Sequence, residues 1–163
     1  MRLKSALRRG VAAAVIAGIV VSSGIPAYAA RWDIANGDIT VKAGDTEGTN
    51  KVSQGTIIDK VDTNTIITNR EDTASSHTVT INAEDHKVEV TLDNVNIKAK
   101  TDSGSALTSK GDVTLTLKGD NHLTGGISDT GNYGRNGIAS TGSLTITGGE
   151  NGSLTAQGGS GAD

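Results

Sequence analysis

The sequence predicts an all-β chain wound into a solenoid, with three short strands in each turn of the coil. Three observations carry that expectation. Val, Leu and Ile alternate with Thr and other polar residues in short runs, one unit recurs at spacings of 25 and 31 residues, and no stretch keeps the three-and-four spacing of a helix.

The alternating runs are Ile39 and Val41, Val79 and Ile81, Val88 with Val90 and Leu92, Val113 with Leu115 and Leu117, and Leu144 with Ile146. Residues 30–163 also hold 21 Thr, and β-branched side chains suit a pleated, half-buried surface. Gly, Asn, Asp and Ser fill the gaps between runs, as turns require. Val, Ile and Leu together make up only 26 of these 134 residues and Phe is absent, a composition close to that of disordered chains. Their alternation is what argues for order.

Residues 87–97, 111–123 and 142–156 each read as a strand, an acidic-Asn turn and a second short strand. Val88, Val113 and Leu144 mark equivalent points in the three units. Looser segments between units carry a small apolar pair, Ala106 with Leu107 and Ile138 with Ala139. Such a unit cannot bury its apolar face alone, so stacking at about 4.8 Å per layer is expected, with Val, Leu and Ile inside. Asn94, Asn121 and Asn151 share one place in the unit. Two roles stay open for them: a hydrogen-bonded Asn ladder, or side chains that tolerate left-handed turns.

Residues 1–29 read as an export signal. Arg2, Lys4, Arg8 and Arg9 give a basic start, residues 11–21 are apolar and small, and Ala27-Tyr28-Ala29 offers a cleavage site after Ala29. Localisation is therefore expected to be secreted or cell-surface, with no membrane span once the signal is removed. Removing four basic and no acidic residues takes the formal charge from −3 to −7, which argues against nucleic acid as a partner. No Cys is present, so a disulfide framework is excluded. Residues 30–55 read as a lead-in that caps the first strand, and 56–163 as the stacked units, with further units expected after Asp163.

At residues 88–97, 111–123 and 142–156 the chain resembles a family of secreted bacterial carbohydrate-binding β-helix domains. The matching strings are the strand ending in Asp93, Asn94, Val95 and Ile97, the run from Gly111 through Asp120 and Asn121 to Leu123, and Gly142 to Gly149; Trp32, Asp33 and Ile34 followed by Gly37, Asp38 and Ile39 resemble the family's opening. The resemblance implies a right-handed parallel β-helix, binding of acidic polysaccharide such as polygalacturonate, and calcium held by acidic side chains at the turns.

Calcium takes six to eight oxygens, so the candidate metal residues are the turn acids Asp93, Asp120 and Glu150 with Asp102 and Asp112 from neighbouring loops. The same acids also read as solvated turn residues balanced by Lys87, Lys110 and Lys118. Candidate contacts to an acidic sugar are Lys118, Tyr133 and Arg135, since a guanidinium grips a carboxylate in a fork. Trp32 is placed either on a sugar or over the apolar interior. His77, His86 and His122 have no ligand spacing, and no catalytic constellation is present, so a non-catalytic binder is expected. An adhesin or spacer, and a polysaccharide lyase, are the alternatives.

Overall fold

The computed structural model describes residues 30–128, 133–149 and 151–161, apart from the side chain of Asp85. The expected signal segment 1–29 and the candidate ligand Glu150 lie outside the described residues. Eleven strands and one 3₁₀ turn make up the described part, with no α-helix among them. In chain order these are β1 (Arg31–Asp33), the 3₁₀ turn (Ile34–Asn36), β2 (Ile39–Ala43), β3 (Asn50–Gln54), β4 (Ile57–Asp62), β5 (Thr65–Thr68), β6 (Val79–Asp93), β7 (Asn96–Lys98), β8 (Leu107–Lys118), β9 (Asp120–Thr124), β10 (Ile138–Gly148) and β11 (Ser153–Gln157). The all-β expectation holds.

The larger sheet is mixed and curls into a half-barrel. Its order is β1-β5-β6-β2-β3-β4, with β8 added to β6 and β10 to β8. A smaller sheet runs β11-β9-β7, all parallel. The repeat read from the sequence is the register of the ladder: Val88 pairs with Val113 and Val113 with Leu144. Alternation then stacks like on like. Val90 lies beside Leu115, Leu92 beside Leu117 and Ile97 beside Leu123, and all six are buried. Burying one such side chain is worth about 1.5–3 kcal/mol, which is what holds so Thr-rich a chain in one register. Ile146 continues the Val90 column on β10 and is 45% exposed, because β10 has a neighbour on one side only.

Three details differ from the expectation. First, each unit holds one long bent strand and one short strand, not three short ones. The ladder continues through the bend because Gly111 (φ +83°) and Gly142 (φ +115°) stand at it. A Cβ on Gly111 would lie 2.4 Å from the Ala83 carbonyl oxygen, and one on Gly142 2.6 Å from that of Gly111, so only glycine lets the layers meet there. In β6 the bend is a bulge between Ala83 and Val88.

Second, of the two roles open for the Asn residues, Asn94 and Asn151 take the left-handed turn, and Asn121 takes neither role. Asn94 (φ +55°) and Asn151 (φ +63°) take left-handed turns, while in the middle unit Gly119 (φ +63°) takes that conformation. This extra residue pushes Asn121 one place on, where it is fully buried. Its Oδ1 accepts from Val95 N at 2.9 Å, and its Nδ2 donates to the carbonyls of Lys118 (3.2 Å), Gly119 (3.3 Å) and Ser153 (3.1 Å). The same shift seats Leu154 beside Asn121 and Ala156 beside Leu123. The apolar pairs are likewise offset by one, since Leu107 pairs with Ile138.

Third, β3 and β4 form an antiparallel hairpin alongside β2, which is why the sheet is mixed. Gly55 (φ +58°) opens the two-residue link between Gln54 and Ile57. On β4, which pairs with β3 alone, Ile57 and Ile58 are exposed, and the left-handed Asp59 (φ +49°) disturbs the free edge. No helix among the described residues is long and apolar enough to cross a membrane.

Candidate polysaccharide-binding surface

Parallel register brings together residues far apart in sequence on the outer side of the larger sheet. One outward column runs Arg31, Ile66, Thr91, Thr116, Thr147; the next runs Asp33, Thr68, Asp93, Lys118. Asp93 is the centre of the arrangement. Its side chain is only 9% exposed, and one oxygen, Oδ2, faces Arg31 Nη1 at 3.1 Å and Lys118 Nζ at 3.6 Å. Its other oxygen accepts from Asn94 Nδ2 at 2.8 Å. A buried carboxylate needs such partners, and here it also fixes two half-exposed cations side by side. With two positive groups and one negative, the cluster carries a formal charge of about +1 on a chain that is acidic as a whole.

An open cleft of about 720 Å³ lies next to this cluster. Thr91 and Thr116, which line it, precede Asp93 and Lys118 by two residues on their strands and so point to the same side. Asn50, Thr63, Asn64, Glu47, Lys87 and Glu89 complete the wall, which is rich in hydroxyls, amides and charges. Lys87 pairs with Glu89 at 3.1 Å. Asn50 Nδ2 is already used, donating to Thr65 Oγ1 and the Glu89 carbonyl, both at 2.9 Å. The surface therefore offers a polar cleft, with the two cations two residues further along the strands from Thr91 and Thr116.

A second open cleft, of about 610 Å³, is lined by Lys42, Asp45, Lys51, Asp59, Glu84 and His86. Its charges are paired: Lys51 with Asp45 at 2.6 Å, Lys42 with Asp59 at 3.4 Å, and Glu84 with Lys110. The hydrogen bond to Asp45 holds the Lys51 ammonium above its ordinary pKa, and that to Lys110 holds the Glu84 carboxyl below its own.

The four expected calcium ligands among the described residues, Asp93, Asp102, Asp112 and Asp120, do not converge. Asp93 faces the two cations, and it pairs in register with Lys118, not with Asp120. Asp120 accepts from Ser153 Oγ at 2.7 Å, Asp112 is exposed on β8, and Asp102 sits in a left-handed turn whose N–H bonds the Ile127 carbonyl at 2.8 Å. Among the described residues no three acids or histidines come close enough to hold a metal ion.

Lys118 is also kept apart from Tyr133 and Arg135. Lys118 precedes the first residue of β9 and the loop follows its last, so about 17 Å of extended strand separates them. In that loop Tyr133 is 72% exposed, its N–H bonds Ser128 Oγ at 3.3 Å, and the Arg135 N–H bonds the Gly126 carbonyl at 2.8 Å. Trp32 is a core residue: it is 4% exposed and its Nε1 donates to Asp62 at 2.8 Å. Of the histidines, His77 stands 3.6 Å from Asp38, and His86 and His122 are exposed. Arg31 and the cleft were not legible beforehand. Arg31 lies at the start of the described residues, and only the parallel pairing of β1 with β5 and β5 with β6 carries it to Asp93.

No protein-family model, no curated protein and no solved structure matches this chain. Fold and surface define an all-β domain with a polar cleft and a nearby pair of cations on the outside of its larger sheet.

Proposed function

We propose that the protein is an exported, non-catalytic binder of acidic polysaccharide, built on a right-handed parallel β-helix. The frame is supported by the in-register stacking of β6, β8 and β10 and, beside them, of β7, β9 and β11. One observation carries the function: Arg31 and Lys118 share one oxygen of Asp93, two residues along the strands from Thr91 and Thr116, which line the cleft. A uronic-acid polymer presents carboxylates along a chain of hydroxyls, and the two cations meet the carboxylates while the cleft meets the hydroxyls. Charge-assisted hydrogen bonds of this kind are the strong ones, although half-exposed cations are screened by salt. Calcium enters this reading through the polymer's own carboxylates, since no described group of acids on this chain would hold it.

The test is co-sedimentation of the mature chain with polygalacturonate, with and without a chelator, beside a neutral polymer of similar length. Binding to polygalacturonate alone, surviving the chelator, is the expected result. No binding in either condition removes the function and leaves a spacer or adhesin stalk; release of unsaturated products absorbing in the ultraviolet makes the protein a lyase.

A further inference from the structure

Asp62, the last residue of β4, is fully buried and accepts three hydrogen bonds. Trp32 Nε1 donates to Oδ2 at 2.8 Å, while Asn64 N at 3.1 Å and Ala30 N at 3.3 Å donate to Oδ1. All three donors are neutral N–H groups as long as Ala30 is joined to Ala29. No basic side chain among the described residues pairs with Asp62. Its neighbour Lys60 lies over the Trp32 ring instead, 5.7 Å from the centroid, and Arg31 is turned to Asp93. A carboxylate buried among neutral donors is costly unless a counter-charge reaches it.

We infer that removal of the export signal after Ala29 supplies that counter-charge: the new α-ammonium of Ala30 is the ionic partner of Asp62. Hydrolysis of the Ala29–Ala30 amide consumes one water. The hydroxyl goes to the Ala29 carbonyl, a proton goes to the Ala30 nitrogen, and at neutral pH that amine takes a second proton from solvent. The nitrogen is already in place. Ala30 is held by the bond from Ile66 N to its carbonyl at 3.3 Å and packs against the core, and β1 continues from it along β5. One neutral donor thus becomes a charged group with three donors, 3.3 Å from a buried carboxylate, with no movement of the chain. The fold of the mature domain is completed by the same cut that releases it, so the unprocessed chain is the less stable form. This rests on the export signal read from residues 1–29 and is independent of what the mature protein binds.

The experiment compares five proteins by thermal melting: the chain beginning at Ala30 with a free amine, the same chain Nα-acetylated, one extended by a single Met, and Asp62→Asn in free and acetylated forms. The acetyl group restores the amide that the structure already accommodates, so it removes charge without adding a clash. The free chain is expected to melt at least about 4 °C above the acetylated one. The Met extension displaces the ammonium by about 3.8 Å and should fall with the acetylated form. In D62N the gap between free and acetylated should vanish. Equal melting of free and acetylated wild type overturns the inference, as does a gap that persists in D62N. If D62N does not fold, the Met-extended chain decides: stability equal to the free form overturns the pairing, and loss matching the acetyl form supports it. Intact mass of the exported protein should begin at Ala30, and any other first residue also overturns it.

Discussion

Replacing Asn121 by Ala should be among the most damaging single changes outside the apolar core. The side chain is fully buried and joins three layers: it accepts from Val95 N below, donates to the Lys118 and Gly119 carbonyls beside it, and reaches the Ser153 carbonyl above. Val95 is itself fully buried, so its N–H would be left without an acceptor. An orphaned buried donor costs about 1–3 kcal/mol, and each lost bond to a carbonyl adds about 0.5–1.5 kcal/mol, partly offset where a carbonyl keeps another donor. The expected loss is about 2–4 kcal/mol. For a domain of this size 1 kcal/mol moves the midpoint by about 3–4 °C, so N121A should melt about 6–14 °C below wild type. Circular dichroism of the mature chain near 218 nm reads the midpoint. Asn121→Leu is the companion variant, because it refills the space without supplying the acceptor and should recover little. Melting of N121A within about 2 °C of wild type, or full recovery in N121L, would refute the claim that this amide ties the layers together.

Three further outcomes follow from single positions. Ser109 is buried on β8 and its hydroxyl has no hydrogen-bond partner, so S109A should raise the melting point by a few degrees, about 1 kcal/mol; a lower midpoint would count against it. Gly111 combines φ +83° with a Cβ position 2.4 Å from the Ala83 carbonyl oxygen, so G111A should cost more than the roughly 1–2 kcal/mol of left-handed strain alone, read as a melting-point loss beyond about 4 °C. For Glu84 the pair with Lys110 holds the carboxyl below 4.5, so its contribution is present above the unfolded value and is lost as pH falls through the lower folded one. In K110Q the Glu84 carboxyl should titrate closer to 4.5 in a carbon-detected NMR titration, and an unchanged midpoint would deny the pairing.

The strands were legible because their signal is local: Val88, Val113 and Leu144 sit in the same alternating context, and that likeness is the ladder register. The Asn positions were not, because one inserted residue decides them. Gly119 takes the left-handed turn that Asn94 takes in the unit before, and Asn121 is thereby moved from turn to core. Counting from the strands left a ladder and left-handed turns both open; only the backbone and hydrogen bonds of each residue separate the two roles. The β3–β4 hairpin had a readable signal in Gly55 between two polar-apolar runs, but it competed with the expectation of uniform parallel stacking. For the surface, Lys118 was within reach of sequence reasoning, while its partner Arg31 lies 87 residues earlier and becomes its neighbour only through pairing of β1, β5 and β6. For the turn acids the same pairing matters, since Asp93 lies in register with a lysine on the next strand and not with Asp120.

Arg31 and Lys118 are the groups proposed to meet an acidic polymer, and a salt titration of affinity tests that most directly. Binding of polygalacturonate to wild type and to the double variant R31Q/K118Q should be measured by calorimetry at low and at physiological ionic strength, with melting curves of both proteins taken alongside. Wild type should bind at low salt and weaken as salt rises, while the folded double variant should bind at least about tenfold more weakly and lose most of the salt dependence. A folded double variant that binds with the wild-type affinity and the same salt response would contradict the account.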